Sequence, residues 1–515
     1  MADVVMIDPM YSNREHGTFV RETADFHSGS PVFIREPIAI ESIAAYLRTN
    51  GVLVDIIHQT TMKDDEVLDA IEAAEAKILG VSVHSTHMFP RILDFMKACK
   101  ARMPDMTIVC GGNHPTRAPE IVLEDCIDYV VRGEGEKIFL DLVVAVLGEN
   151  EEDVRRVEGV SYAEGGRVVS TKPAKRFDFH KAPWALRKKE VLDDLKCAPL
   201  CYPAPPDQRG VAQISYSRGC PFTCDFCVSP LVFPGKVQFR DPSDVVDEIE
   251  DLQQRFGTNF VFFNDLTFNV YREKTLAMCR EIIARKVKVH WFAYCSVHLQ
   301  EDVIAAMAEA GCSRIGIGVE TFSDEMTKIY KSQWNLEKTS RALSLVDKYG
   351  IINRVYLMMG YPEETREILA EMPALMKALP IDQPRLAYIT PFPGTPFYDT
   401  VADKIGTHEL EKYSGDHPII LNPRISPEEY IEIRNQIMTD FYGSSEYRAH
   451  IVGKCARFPH MVGTFTYFID YLKAHGVLPE AAHARCAAEL AGTIRREPPS
   501  VAGRRRAEAI VEVES

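Results

Sequence analysis

The amino-terminal part of the chain alternates short, fully apolar runs with longer segments whose apolar residues recur at helical spacing. Each apolar run has the length of a buried strand. The predicted strands are 4–7, 52–57, 77–83, 107–110 and 127–131, and the predicted helices are 38–48, 65–76, 90–102 and 136–147. Strands that alternate with helices predict a parallel sheet covered on both faces, with its ligand site at the carboxyl ends of the strands.

The pattern changes after residue 148. Two runs within 157–171 flank Gly165-Gly166 and predict a β-hairpin. An irregular stretch rich in proline follows it. We therefore interpret 149–210 as a connector that contains a hairpin.

The strand–helix alternation restarts at Val211. The predicted strands are 213–217, 260–264, 289–295, 314–319, 354–359 and 385–390. Six such units predict a partial (βα)6 version of the TIM-type barrel, whose active sites lie at the carboxyl ends of the strands. The chain thus divides into a Rossmann-like α/β domain (1–148), the connector, a partial barrel (211–400) and a helical segment (401–515).

Charge and cysteine content exclude several classes of protein. The 515 residues carry a net charge of −15, which argues against binding nucleic acid, and the basic residues Arg504 to Arg506 are interpreted as a solvated tail. Thirteen cysteines in a chain of this length do not form a disulfide framework and suit the reducing cytoplasm. No signal peptide is recognisable, and no apolar run is long enough to span a bilayer.

Three cysteines follow the first predicted barrel strand at C-x3-C-x2-C spacing: Cys220, Cys224 and Cys227. Three thiolates on one short loop can hold three irons of a [4Fe–4S] cluster and leave the fourth iron open to a small molecule. The alternative is a structural zinc site, which usually takes four ligands as two separated pairs. Cys197 and Cys201 are spaced too widely to supply the second pair, so the cluster is favoured.

The cysteine motif resembles the signature of the radical S-adenosylmethionine (SAM) enzymes. In that family the open iron binds the amino and carboxylate groups of SAM, and an electron cleaves its sulfonium bond. The resemblance implies SAM contacts at Phe226 within the motif and at Asp265, Gly318 and Glu320 near strand ends. A salt bridge at the barrel rim is the alternative role for Glu320.

Small and polar residues follow the strands of the first domain, where glycine pairs let a ligand approach the backbone closely. The runs 111–115 and 128–136 resemble the cobalamin-binding domain that precedes many radical SAM domains. The resemblance implies that cobalamin contacts Ser82, Ser85, Gly111, Gly112, Asn113, Gly133 and Glu134.

One position departs from that resemblance. Many cobalamin domains carry Asp-x-His-x-x-Gly after the first strand, and the histidine ligates cobalt. Here Pro9 and Met10 follow Asp8, so the histidine is absent and the lower face of the corrin is expected to lack this ligand. The stretch 10–35 is expected to pack against the corrin, to line the substrate site or to form an ordinary surface loop.

Together these features resemble the cobalamin-dependent radical SAM enzymes. The resemblance implies a methyltransferase that adds a methyl group to an unactivated carbon, or a phosphorus centre, of a small-molecule biosynthetic intermediate through a 5′-deoxyadenosyl radical and methylcobalamin. The alternatives are a cyclase or ring-rearranging enzyme without methyl transfer and, in another class, a non-catalytic cobalamin or iron–sulfur sensor. The expected partners are the small-molecule substrate and an electron donor such as flavodoxin or ferredoxin. No catalytic side chain is assigned.

Overall fold

The computed structural model describes residues 2–9, 36–58, 62–192, 211–330 and 335–494. The stretch 10–35, Cys197, Cys201 and the terminal arginines lie outside these ranges. The strands are β1 (Val4–Asp8), β2 (Val54–His58), β3 (Ile78–Ser82), β4 (Thr107–Gly111), β5 (Tyr129–Val131), β6 (Val160–Glu164), β7 (Arg167–Ser170), β8 (Val211–Ile214), β9 (Ser217–Arg218), β10 (Gln238–Phe239), β11 (Phe260–Phe263), β12 (His290–Cys295), β13 (Cys312–Glu320), β14 (Ile352–Met359) and β15 (Gln383–Tyr388).

The α-helices cover the faces of the two sheets and form the carboxyl-terminal segment. They are Ile38–Thr49, Asp64–Ala73, Phe89–Arg102, Asn113–Arg117, Pro119–Val122, Gly135–Leu147, Glu151–Arg156, Ser229–Val232, Pro242–Phe256, Arg272–Arg285, Glu301–Glu309, Asp324–Tyr330, Leu336–Lys348, Arg366–Lys377, Pro396–Thr400, Pro427–Tyr442, Ser445–Arg457, Val462–Ala474 and Glu480–Ile494. No described helix is both long enough and apolar enough to cross a membrane.

The first sheet has the order β2-β1-β3-β4-β5-β6-β7. Its first five strands are parallel, as the alternating pattern predicts, and β6 and β7 are antiparallel. Val160 pairs with Val131, so the hairpin extends this sheet instead of standing apart in a connector. β2 lies on one side of β1 and β3 on the other, so the direction of the strand order reverses at β1. In such sheets ligands bind at this point of reversal.

Both faces of the first sheet are buried. Along β1, Val5 and Ile7 belong to one apolar core, while Val4 and Met6 belong to the core on the opposite face. Successive side chains of a strand point to opposite faces, so a strand with helices on both sides must be apolar throughout. This explains why the strands appear in the sequence as uninterrupted apolar runs.

The second sheet consists of six parallel strands in the order β8-β11-β12-β13-β14-β15. It confirms the predicted (βα)6 arrangement, with boundaries within three residues of those predicted. Its outward-facing residues pack under the helices in one large core that extends into the carboxyl-terminal helices. A separate small cluster of Phe260, Phe262 and Phe292 fills part of the barrel interior.

The carboxyl-terminal helices dock onto the side of the barrel next to β15. Lys454 is fully buried, and its ammonium group pairs with Asp382 and donates to the Ile351 carbonyl at 2.8 Å. His450 Nε2 lies 2.8 Å from the same carboxylate. Nearby positive charge outweighs burial and lowers the pKa of Asp382 below its ordinary value. A buried pair of this kind fixes the orientation of the helices because either charge alone would be costly to bury.

Candidate active site between the sheet and the barrel

The cysteine loop leaves the barrel after β8 and β9 and is tied to its surroundings. The Cys227 amide donates to the Cys224 carbonyl at 3.0 Å, which closes a tight turn within the motif. The Phe397 amide donates to the Asp225 carbonyl at 3.1 Å, and Phe226 packs against the apolar cluster that contains Phe397. These contacts hold the three thiols on one ordered segment.

The three motif cysteines differ from the other cysteines in exposure. Cys220, Cys224 and Cys227 are partly exposed, whereas every other described cysteine is buried. Within the described ranges no three His, Cys, Asp or Glu side chains converge as they would around a single metal ion. In a cubane cluster each thiolate ligates a different iron, so the thiols need not converge on one point. The donor set therefore fits a [4Fe–4S] cluster with one open iron.

Asp265 holds the backbone in front of the cysteine loop. Its carboxylate accepts hydrogen bonds from the amides of Tyr216 and Ser217, at 3.0 and 2.6 Å, and from the Ser217 hydroxyl. The side chain is completely buried, and burial raises its pKa to about 7. The resemblance assigns Asp265 to SAM, and in the structure its carboxylate positions Tyr216 and Ser217, which precede Cys220.

Glu320 ends β13 with an unusual backbone. Its φ of 70° lies in the left-handed region, and the pairing of β13 with β14 shifts between Gly318 and Glu320. Such a conformation is costly for a residue other than glycine and is often retained at a functional site. Gly318 and Glu320 are both partly exposed at the carboxyl end of the barrel, where the resemblance to the radical SAM enzymes implies SAM contacts.

A large cavity lies between the carboxyl ends of the first sheet and the mouth of the barrel. Its empty volume is about 1330 Å³, including space open to solvent. The first domain lines it with Ser82, His84, Gly111, Gly112, Asn113, Gly133 and Glu134, among others. The barrel lines it with Ser215, Ser217, Arg218, Gly219, Asn264 and Leu266 and the loop with Val232 and Phe233. The cavity thus extends to the residue directly before Cys220.

Two glycines at the end of β4, Gly111 and Gly112, line the cavity and carry no side chain. A Cβ on Gly112 would lie 2.5 Å from the Val83 carbonyl oxygen, and the φ of this residue is 115°. A Cβ on Gly111 would meet nothing closer than Val131 at 3.8 Å. Gly133 also has a positive φ, of 98°. Bare backbone, the Ser82 hydroxyl and the Asn113 amide fit a large ligand that lies against the strand ends, as cobalamin would.

Six of the seven residues that the sequence assigns to cobalamin line this cavity, and Ser85 is not among its lining residues. Asp8 ends β1, and burial raises its pKa to about 7. The motif position two residues after it is Met10 instead of histidine. His84, in the loop after β3, is a histidine that does line the cavity, and its Nδ1 lies 3.5 Å from the Asn113 amide nitrogen.

Glu134 lines the cavity, and its carboxylate pairs with two arginines. Arg176 Nε donates to Glu134 Oε2 at 2.8 Å, and Arg218 Nη1 lies 3.3 Å from Glu134 Oε1. Arg218 also donates to Glu136 at 2.8 Å. This ion-pair network joins the first domain to the start of the cysteine loop. Sequence analysis missed it, although two glutamates in Gly133-Glu134-Gly135-Glu136 and an arginine before the cysteines were a signal that charge pairing was needed.

Comparison with known protein families supports the two halves of this site separately. The family model of the B12 binding domain matches residues 29–143, and that of the radical SAM superfamily matches residues 214–375. Between them the two models include the strand-end glycines that line the cavity and all three motif cysteines.

Individual relatives cover most of the chain. The anaerobic magnesium-protoporphyrin IX monomethyl ester cyclase of Rubrivivax gelatinosus is 28% identical over 77% of this chain and 72% of its own length. An uncharacterized methyltransferase of Pyrococcus horikoshii is 26% identical over 79% of this chain and 87% of its own. The structure of the radical SAM methyltransferase TsrM from Kitasatospora setae, with cobalamin and a [4Fe–4S] cluster bound, has the same fold, with a TM-score of 0.65, 19% identity and coverage of 86% and 89% of the two chains.

Proposed function

We propose that this chain, a cobalamin-dependent radical SAM enzyme, transfers a methyl group to an unactivated carbon, or a phosphorus centre, of a small-molecule biosynthetic intermediate. One observation carries the proposal. A single cavity is lined by the strand-end glycines of the B12-binding domain and by Ser217 and Gly219, directly before Cys220. A substrate placed there would face both cofactors at once.

When bound, the cluster and SAM would supply the chemistry that removes a hydrogen atom from the substrate, and cobalamin would supply a methyl group taken from a second SAM. Cys220, Cys224 and Cys227 would ligate the cluster. Phe226, Gly318 and Glu320 would bind SAM, and Asp265 would hold the backbone of Ser217 in place. Ser82, Gly111, Gly112, Asn113 and Gly133 would bind cobalamin.

The rest of the chain would position these groups. The network of Glu134, Glu136 and Arg218 holds the cysteine loop against the B12-binding domain. The carboxyl-terminal helices pack beside β15 and would set specificity. We further propose a reductant protein such as flavodoxin or ferredoxin and a location in the cytoplasm, where the exposed motif thiols would stay reduced.

A second function is favoured by a specific observation. The relative from Rubrivivax gelatinosus is named as a cyclase of a porphyrin ester, and it matches this chain over 77% of its length. Ring formation would use the same two cofactors without net methyl transfer. A non-catalytic sensor has no comparable support, since the named relatives are enzymes.

The products of SAM separate these functions. Protein loaded anaerobically with cluster and cobalamin is given SAM and a reductant, and S-adenosylhomocysteine and 5′-deoxyadenosine are quantified. A burst of S-adenosylhomocysteine equal to the bound cobalamin supports methyl transfer, because one SAM must donate its methyl group. If 5′-deoxyadenosine forms alone while cobalamin is bound, methyl transfer is rejected and cyclisation takes its place.

Two variants control for the source of each product. Cys224→Ala should lose 5′-deoxyadenosine because the cluster is incomplete, while cobalamin stays bound. Cys486→Ala changes a buried cysteine in helix Glu480–Ile494 and should keep both products at wild-type ratio.

A further inference from the structure

The inward-facing side of β13 to β15 is partly exposed toward the carboxyl-terminal ends of the strands. Along β13 to β15 the core-facing residues are buried under the helices, and alternate positions point inward. Among these inward positions, Gly318, Tyr356, Met358, Arg385 and Ala387 are partly exposed. Solvent therefore reaches these inward positions.

The deeper inward positions are closed. Arg314 and Arg354, nearer the amino-terminal ends of β13 and β14, are buried at 3% and 6% exposure. Phe260, Phe262 and Phe292 fill the same level on β11 and β12. The accessible part of the interior thus ends on a layer that includes Arg385.

In this layer the inward-facing residues of β13, β14 and β15 lie side by side. Gly318 pairs with Tyr356, and Tyr356 pairs with Arg385. Tyr294 on β12 pairs with Gly316, one row deeper, and its ring centroid lies 5.8 Å from that of Tyr356. A Cβ on Gly316 would come within 2.9 Å of both tyrosine rings, so glycine at this position lets them pack together. The layer and the row beneath it therefore present two aromatic rings and one guanidinium.

Arg385 has unused hydrogen-bonding capacity. Its Nη2 lies 3.6 Å from Asp416 Oδ1, which is an ion pair but exceeds a hydrogen-bond distance. Within the described ranges the Arg385 guanidinium makes no hydrogen bond, and Asp416 Oδ1 is buried and has no hydrogen-bond partner either. The Arg385 side chain is 17% exposed. Buried donors of this strength normally have acceptors.

A second positive charge lies near Arg385. The Arg354 guanidinium lies 5.6 Å from the centre of the Tyr356 ring that borders Arg385. Burial and the charge of Arg354 lower the pKa of Arg385 below its ordinary value, against the opposite effect of Asp416. An additional negative charge beside Arg385 would be stabilised.

We propose that Arg385 binds a carboxylate of the substrate inside the barrel. This inference rests on the proposed function and narrows its substrate to an acid with an apolar or aromatic body. The planar guanidinium matches a carboxylate in a two-pronged arrangement that lysine cannot reproduce. The two tyrosine rings suit the apolar body of such a molecule.

The test compares two probes of the same shape, benzoate and benzamide, which differ in charge. Their dissociation constants are measured by ligand-observed NMR titration on protein loaded with oxidised cluster and cobalamin, without SAM or reductant. We expect benzoate to bind the wild type at least about tenfold more tightly than benzamide, as charge-assisted hydrogen bonds imply. Arg385→Met should remove this preference. Equal binding of both probes to the wild type, or unchanged benzoate binding in Arg385→Met, overturns the proposal.

Two further variants keep the test decisive if Arg385→Met does not fold. Asp416→Asn removes the competing carboxylate and should tighten benzoate binding severalfold, and a loosening would contradict the proposal. Arg366→Met changes an exposed arginine paired with Glu429 and should leave benzoate binding unchanged. The titration measures binding and not turnover, so its result can be interpreted even if the S-adenosylhomocysteine assay rejects methyl transfer.

Discussion

Arg218 donates a hydrogen bond to Glu136 at 2.8 Å, and this contact joins the B12-binding domain to the residue two positions before the first motif cysteine. The side chain of Arg218 is 16% exposed and that of Glu136 only 4%. Glu134 and Arg176 extend the network on the same side of the cavity. Because these charges are largely removed from water, they stabilise the interface only while all of them stay paired.

Replacing Glu136 by Gln should loosen the cysteine loop relative to the cavity. Because Arg218 would still pair with Glu134, we expect the free energy of unfolding to fall by only about 1–3 kcal/mol. We also expect more 5′-deoxyadenosine for each product formed, because substrate and cofactors are less well aligned. Urea denaturation and product ratios measure the two effects. Glu152→Gln, in an exposed pair, is the control, and a stability loss without a changed product ratio would make the network purely structural.

Iron content should separate the motif cysteines from the buried ones. Replacing Cys220, Cys224 or Cys227 by Ala should abolish the visible absorption of the cluster and remove most of the bound iron. Each variant lacks one of the three thiolate ligands that this loop supplies. Cys312→Ala removes a buried thiol from β13 and should keep both. Iron assay and absorption spectra of anaerobically reconstituted proteins give the answer. Retention of a full cluster in two of the motif variants would refute the assignment.

Gly112→Ala should weaken cobalamin binding selectively. The new Cβ would lie 2.5 Å from the Val83 carbonyl, and a φ of 115° is unfavourable for alanine, so the loop after β4 must move. We expect at least about a tenfold loss in cobalamin affinity, which corresponds to about 1.4 kcal/mol, with the cluster retained. Gly453→Ala places a Cβ in open space on helix Ser445–Arg457 and should bind cobalamin normally. Equal affinities in the two variants would show that Gly112 lies outside the cobalamin site.

Glu320 is expected to lower the stability of the fold and to strengthen SAM binding. Glu320→Gly relieves a left-handed backbone conformation at φ 70° and should stabilise the fold by about 1 kcal/mol. The same change should weaken SAM binding because the carboxylate is lost. Glu320→Gln keeps a side chain in the strained position and separates the two effects. Equilibrium dialysis with SAM and thermal unfolding are the measurements, and unchanged SAM affinity in both variants would leave Glu320 as a rim residue only.

Glu364 should make stability depend on pH. It is fully buried and accepts from the Gly360 amide at 2.7 Å, yet burial raises its pKa from 4.5 to about 7. Between these values the folded state binds more protons than the unfolded state, so this group costs stability as pH rises, by roughly 3 kcal/mol in total. Glu364→Gln does not titrate and still offers an acceptor oxygen. We therefore expect the variant to gain stability relative to the wild type from pH 5 to 8.

Urea denaturation at both pH values checks this expectation. Glu367→Gln, an exposed carboxylate on the following helix, should retain the pH dependence of the wild type. A constant difference between Glu364→Gln and the wild type at pH 5 and pH 8 would mean that Glu364 does not carry the shift.

Much of the architecture follows from local patterns. The run 107–110 predicts a strand, and β4 spans Thr107–Gly111, because a strand buried on both faces must be apolar at every position. Ser426 and Pro427 predict a helix start, and Ser426 accepts from the Glu429 amide at 3.2 Å. The runs within 157–171 predict the hairpin that β6 and β7 form, but they do not predict its pairing with β5, since strand partners depend on contacts distant in the chain.

The sequence by itself determined the order of strands and helices, the cluster motif and the cavity glycines, because each depends on residues close together in the chain. Only the tertiary structure decided what the charged groups do. Glu134 meets Arg218 across 84 residues, and Arg385 faces the barrel interior beside Asp416. A buried charge takes its role from the partners that folding brings to it, and the sequence order of those partners does not specify which of them will meet.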